Sequence, residues 1–174
     1  MVLTHIYDHF KHLLSFDQHG YDDHKLREFA GAIHARGAAL RECVGFIDGT
    51  VRGICRPTKM QKYNFNGHKR KHALKYQSVV TPNGIISHLH GPIPGARRDA
   101  YLLSVSSLYD EAHDLLQDDG KQFILYGDPA YGRQDYILAP FKGAILTSEQ
   151  EEFNSSMSEV RVCVESTAAV LGVL

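Results

Sequence analysis

Two aspartates in this chain each follow a short apolar run: Val44-Gly45-Phe46-Ile47 leads onto Asp48, and Phe123-Ile124-Leu125-Tyr126-Gly127 leads onto Asp128. An aspartate that ends a strand is ordinarily a turn former. Two such carboxylates on neighbouring strands can instead converge on hard divalent cations, which take oxygen ligands and bridge phosphate groups. In two-metal phosphodiester chemistry the ions lie about 3.5–4 Å apart, one activating the attacking oxygen and the other stabilising the leaving oxygen. Such a site asks for a third carboxylate, and with 20 Asp and Glu in the chain, spacing alone leaves its identity open.

The 11 histidines raise a zinc alternative. His88 and His90 share a face if they lie on a strand, and His68 and His72 share one only on a helix, but no third ligand stands at a convincing spacing. His5, His9 and His12 are spaced along one exposed helical face.

The charges are unevenly placed. The 19 Lys and Arg nearly cancel the 20 acids, for a formal charge of -1, which excludes a strongly basic architectural protein. Yet from residue 49 to residue 98 there is no acid and there are ten cations, Arg52, Arg56, Lys59, Lys62, Lys69, Arg70, Lys71, Lys75, Arg97 and Arg98. Tyr63, Phe65 and Tyr76 interleave with His68-Lys69-Arg70-Lys71-His72. That mixture suits a surface that neutralises phosphates and offers faces for stacking. The plainer reading is a solvated hairpin edge protected by lysines.

The elements that must position these residues are legible in outline. Residues 4–15 and 22–40 carry apolar residues at helical spacing. Val44–Ile47 reads as a strand that stops at Asp48-Gly49-Thr50, with Val51–Cys55 as its hairpin partner. Leu74–Val80, the turn Thr81-Pro82-Asn83-Gly84 and Ile85–Leu89 read as an antiparallel hairpin. Arg98–Gln117 reads as one long helix, Gln122–Gly127 as a strand and Tyr136–Leu138 as a short strand. Glu149–Phe153 is helical, whereas Val160, Val162 and Val164 alternate like a strand. The class is α/β with a partly antiparallel sheet.

Bulk features narrow the context. A chain of 174 residues with 43% hydrophobic and 22% charged residues is an ordinary globular one, not disordered or collagenous. Three cysteines with no C-x-x-C pair suggest neither a disulfide framework nor a Cys-rich zinc site, and a reducing intracellular compartment fits. No signal peptide and no run near 18 apolar residues is visible, so no membrane association is expected.

Several segments carry a family resemblance. Phe46-Ile47-Asp48-Gly49-Thr50 and Tyr63-Asn64-Phe65-Asn66-Gly67-His68-Lys69-Arg70 come first, then Gly91-Pro92-Ile93-Pro94-Gly95-Ala96-Arg97-Arg98-Asp99 and Gly127-Asp128-Pro129-Ala130-Tyr131-Gly132. Phe153-Asn154, Met157-Ser158, Arg161 and Val164-Glu165 complete the set. In this order they resemble the DDE superfamily endonucleases of PIF/Harbinger-type transposases, over residues 44–166.

The resemblance implies an RNase H-like fold: a mixed sheet with an antiparallel hairpin and flanking helices. It implies a helical linker at 1–43 and the endonuclease domain at 44–174, shortened at both ends, since full members carry DNA-recognising helices ahead of the nuclease and a long amphipathic helix after the glutamate. It names Asp48, Asp128 and Glu165 as the catalytic, metal-holding residues for Mg²⁺ or Mn²⁺. It makes DNA the partner, with a separate DNA-binding protein to supply sequence reading, and the basic segment then offers Arg52, Lys69, Arg70, Lys71 and Lys75 as its contacts. Asp99 is expected as a helix cap or structural support and not as a ligand. A nuclear or cytoplasmic location follows. The competing reading is an inactive transposon-derived remnant that binds DNA or protein without cutting.

Overall fold

The computed structural model describes residues 2–15, 21–118 and 120–170, without the side chains of residue 3 and residues 164–170. In chain order the elements are α1 (Val2–Phe10), α2 (Asp23–Ala35), β1 (Cys43–Gly53), α3 (Gln61–Asn64), β2 (Phe65–Asn66), β3 (Lys71–Val80) and β4 (Ile86–Pro94). They continue with α4 (Asp99–Val105), α5 (Leu108–Leu115), β5 (Gln117–Asp118), β6 (Lys121–Gln122), β7 (Ile124–Gly127), β8 (Ile137–Leu138) and α6 (Ser148–Val170).

β1 does not stop at Asp48-Gly49-Thr50. It runs on to Gly53, so the expected hairpin partner Val51–Cys55 is for the most part its own continuation. The antiparallel partner is β3, in register from Phe46↔Val80 through Gly53↔Ala73. A continuous ladder satisfies the backbone groups of the whole stretch, which outweighs the turn preference of one Asp-Gly pair. β3 and β4 form the expected hairpin, with Gly84 N donating to the Thr81 carbonyl at 2.9 Å in the turn. On its other edge β1 pairs with β7, and β7 with β8, both in parallel. The sheet order β2-β3-β1-β7-β8, with β4 also on β3, therefore mixes parallel and antiparallel pairs. With helices on its flanks this is a mixed α/β architecture consistent with an RNase H-like fold.

The expected helix Arg98–Gln117 is two, α4 and α5, separated by Ser106 in an extended conformation. Buried Gln77 on β3 donates to Ser106 Oγ at 3.2 Å, and Ser106 donates to the Leu103 carbonyl at 3.0 Å, so a tertiary contact holds the break. α2 is capped by Asp22, whose carboxylate accepts from Lys25 N at 2.8 Å, and ends at Ala35, short of Leu40, where Gly37 takes φ +99.

The apolar residues of β1 divide between two cores. Val44 and Ile47 pack with Leu26, Phe29, Leu103, Leu108, Leu125 and Ile137, and Phe46 packs with Ile33, Val80, Tyr126, Met157 and Val160. The sheet is thus buried on one face by α4, α5 and most of α2 and on the other by α6 and the end of α2. Each large side chain moved from water into these cores contributes about 1.5–3 kcal/mol.

The strand-like alternation of Val160, Val162 and Val164 is overridden: the segment belongs to α6. A capping box starts the helix, with Gln150 N donating to Thr147 Oγ1 at 3.3 Å and Thr147 N donating to Gln150 Oε1 at 3.2 Å. Asn154 then makes two bonds to the Phe141 backbone, donating to its carbonyl at 3.1 Å and accepting from its N–H at 2.9 Å. Burial of Met157 and Val160 adds what the β-branched residues lack in propensity, while Val162 stays exposed.

Candidate active site

The parallel register decides the geometry of the two aspartates. Phe46 pairs with Tyr126 and Ile47 with Gly127, so Asp48 and Asp128 are the next residues on adjacent strands, whose backbones lie about 4.8 Å apart. Phe46 and Tyr126 meet edge to face at 6.4 Å between ring centroids. Strand alternation sends residues two further on to the same face, so Asp48 and Asp128 both project toward the side covered by α6. Both are half-buried. Asp128 Oδ1 accepts from Ala130 N at 2.8 Å, and Pro129 opens the short 3-10 turn this bond caps, which fixes one carboxylate oxygen.

Asp99 is on the other face. A Cβ placed on Gly49, which points away from the Asp48 side, would lie 2.9 Å from Asp99 Oδ1 and 3.4 Å from the Tyr131 hydroxyl. Only glycine leaves room there for the carboxylate. Asp99 is the first residue of α4, and Arg98 is its cap position, so Asp99 is not the cap. Its carboxylate accepts from Lys75 Nζ at 2.8 Å, which makes it a support for β3 from the face opposite Asp48. Lys75 is correspondingly buried, away from the exposed side chains of Arg52, Lys69, Arg70 and Lys71.

Those four exposed cations form a basic edge. Lys69–Arg70 lies in the turn between β2 and β3, where Arg70 adopts φ 51 and Lys69 N donates to the buried Asn66 Oδ1 at 2.8 Å. Lys71 lies beside Gly53 at the far end of β1, one residue from Arg52. Phe65 and His72 meet edge to face at 5.4 Å on the same edge.

Two side chains at the acidic centre escaped sequence reasoning about chemistry. The Tyr131 hydroxyl is buried and makes no hydrogen bond within the described residues. Burial drives its pKa upward, and Asp99, Asp48 and Asp128 add to the shift, so the phenol stays protonated. Arg161, on α6, opposes this rise and that of Tyr126. Arg161 lies four residues beyond Met157, one helical turn along α6, a spacing that could have singled it out.

Carboxylate oxygens side by side on adjacent strands suit a hard divalent cation better than zinc or copper. Among the described residues no three His, Cys, Asp or Glu side chains form a metal-holding group, in keeping with Asp99 lying across the sheet. Glu165 falls on α6 eight residues beyond Met157, and its side chain lies outside the described residues. His88 is buried and His90 is half-buried on β4, away from this centre.

Residues 47–172 match the DDE superfamily endonucleases. The chain belongs to that family. The matched span begins within β1, one residue before Asp48, and takes in Asp128 and all of α6. A relative described as a probable transposase for insertion sequence element IS702, from Microchaete diplosiphon, is 31% identical over 122 residues. The alignment covers 68% of this chain and 42% of the relative, so the DDE endonuclease chain spans less than half that relative's length. No solved structure matches. Among the described residues no helix is long and apolar enough to cross a membrane, and Cys43, Cys55 and Cys163 form no disulfide.

Proposed function

We propose that this chain is a PIF/Harbinger-type, divalent-metal-dependent DNA endonuclease or transposase domain in which Asp48, Asp128 and Glu165 hold the ions. The reading is carried by the Ile47–Gly127 parallel register, which sets residues 48 and 128 side by side on one face within a chain of the DDE endonuclease family. When bound, the two ions supply an activated oxygen nucleophile at neutral pH and charge stabilisation for the leaving oxygen.

The chain's own residues do the rest. Asp48 presents its carboxylate from a strand held on both edges, so the donor does not need to be ordered when substrate arrives. The Ala130 N–H holds Asp128 Oδ1 and orients the other oxygen. Asp99 and Lys75 neutralise each other across the sheet from Asp48, which keeps a third, half-buried carboxylate from competing for cations. Arg52, Lys69, Arg70 and Lys71 meet DNA phosphates along the exposed edge. Sequence reading falls to a separate DNA-binding protein, and the domain works in the nucleus or cytoplasm.

Purified protein incubated with supercoiled plasmid and Mg²⁺ or Mn²⁺ should nick it, and Asp48→Asn or Asp128→Asn should abolish nicking. Equal nicking by the wild type and both variants would sink the reading.

A further inference from the structure

A groove of about 440 Å³ opens on the Asp99 face of the sheet, between the β2–β3 turn and the loop that enters α4. Its walls include His68 on one side and Arg97 and Arg98 on the other, its floor includes Lys75 and Asp99, and it reaches Ala130, two residues past Asp128. One carboxylate thus stands against three permanent cations and a histidine. That excess is surplus to folding, because the Asp99 charge is already met by Lys75 at 2.8 Å.

The groove is also built. Buried Asn66 joins the two walls, donating to the Gly95 carbonyl at 2.9 Å while accepting from Lys69 N at 2.8 Å. Ala96 N donates to the Tyr63 carbonyl at 3.0 Å. Gly95 sits so close to β3 that a Cβ would come within 2.5 Å of the Ala73 carbonyl, so the loop can hold this line only with glycine there. Beside the groove the Arg97 guanidinium lies 4.6 Å over the ring of Tyr101, which is 40% exposed.

We propose that this groove takes a single nucleic-acid strand running on the Asp99 side of the sheet toward the Asp128 loop, with Arg97 and Arg98 on its phosphates and the Arg97–Tyr101 pair as a platform for an unpaired base. The inference rests on the DNA reading above and adds to it the form of DNA preferred at the site. The groove has the volume of a small-ligand cleft, enough for a strand segment and not for a duplex. A cationic groove joined to an exposed aromatic is the combination by which single strands are held without sequence preference.

The test is fluorescence anisotropy of the full chain in EDTA, comparing a blunt duplex with the same duplex carrying a short single-stranded overhang. The overhang is expected to bind about tenfold more tightly. Arg97→Ala with Arg98→Ala, or Tyr101→Ala, should erase that preference, Tyr101→Phe should keep it, and Lys69→Ala with Arg70→Ala should weaken both substrates alike. Inorganic phosphate at matched ionic strength should not displace the overhang selectively. Equal binding of both substrates, or an Arg97/Arg98 loss that is the same on both, overturns the strand groove while leaving DNA binding intact. Binding of neither overturns the DNA reading as well.

Discussion

The acidic pair and the basic edge are built in opposite ways. Asp48 and Asp128 are 80 residues apart in sequence and meet because β1 and β7 pair in one parallel register, backed by two buried layers. The cations at 69–71 come from one turn and the first residue of β3, organised by the buried Asn66. Carboxylates that are to share ions must be positioned to a fraction of an ångström, which needs a sheet. Cations that are to meet a phosphate backbone need only local charge density, which a loop provides.

The sharpest way to break this contrast is to remove charge at each region while keeping shape. Asp48→Asn or Asp128→Asn is expected to lower plasmid nicking by roughly 10²–10⁴-fold while DNA affinity in EDTA stays unchanged, because the loss is of several kcal/mol of transition-state stabilisation. A matching loss of affinity would mean that the two regions are not separable.

Next comes the scaffold beneath the acids. Phe46→Ala empties a fully buried site between Tyr126 and α6 and should cost about 3–5 kcal/mol in urea unfolding. An effect under about 1 kcal/mol would show that the acidic pair does not depend on that layer.

His88 gives the contrast a pH signature. Burial on β4 lowers its pKa from the ordinary 6.5 to about 4, with Glu111 opposing the shift and His90 adding to it. The folded state holds the ring neutral, so its contribution is complete above about pH 6.5 and is lost as the pH falls toward about 4, where the unfolded chain takes up the proton first. Across that window stability should fall by about 1.4 kcal/mol per pH unit from this group. His88→Gln should flatten the slope, and an unchanged slope would refute the assignment.

Lys75→Met separates the buried cation from the exposed ones. It leaves Asp99 without its ammonium and should cost about 1.5–3 kcal/mol of stability. The smallest change in folding is expected from Lys69→Ala, Arg70→Ala and Lys71→Ala together, since all three are exposed. Their effect should appear in DNA binding, as a salt dependence whose log–log slope is shallower by about 0.9 for each phosphate that is no longer neutralised. A triple variant that unfolds easily, or binds with unchanged slope, would reverse the roles of the two regions.

Much of the fold was visible in the chain itself. The β3–β4 hairpin, the strand before Asp128 and the helix after Asp22 are marked by local turn, alternation and capping signals that need no distant partner. The ordered motifs pointed to the family and to Asp48 and Asp128 as a pair. The failures share one cause. β1 passing through Asp48-Gly49-Thr50, the break at Ser106 and the helical state of Val160–Val164 are each decided by contacts with residues far away: β3, Gln77, and the Phe141 and Tyr126 layer.

Residue type alone settled which groups could do chemistry here and where the charge would gather, because those properties travel with the side chain. Register and burial settled what the residues became. They set Asp48 and Asp128 on one face and Asp99 on the other, and turned Lys75 from a surface cation into a counter-ion. Strand faces alternate every residue, so which carboxylates meet is fixed only when the strands pair.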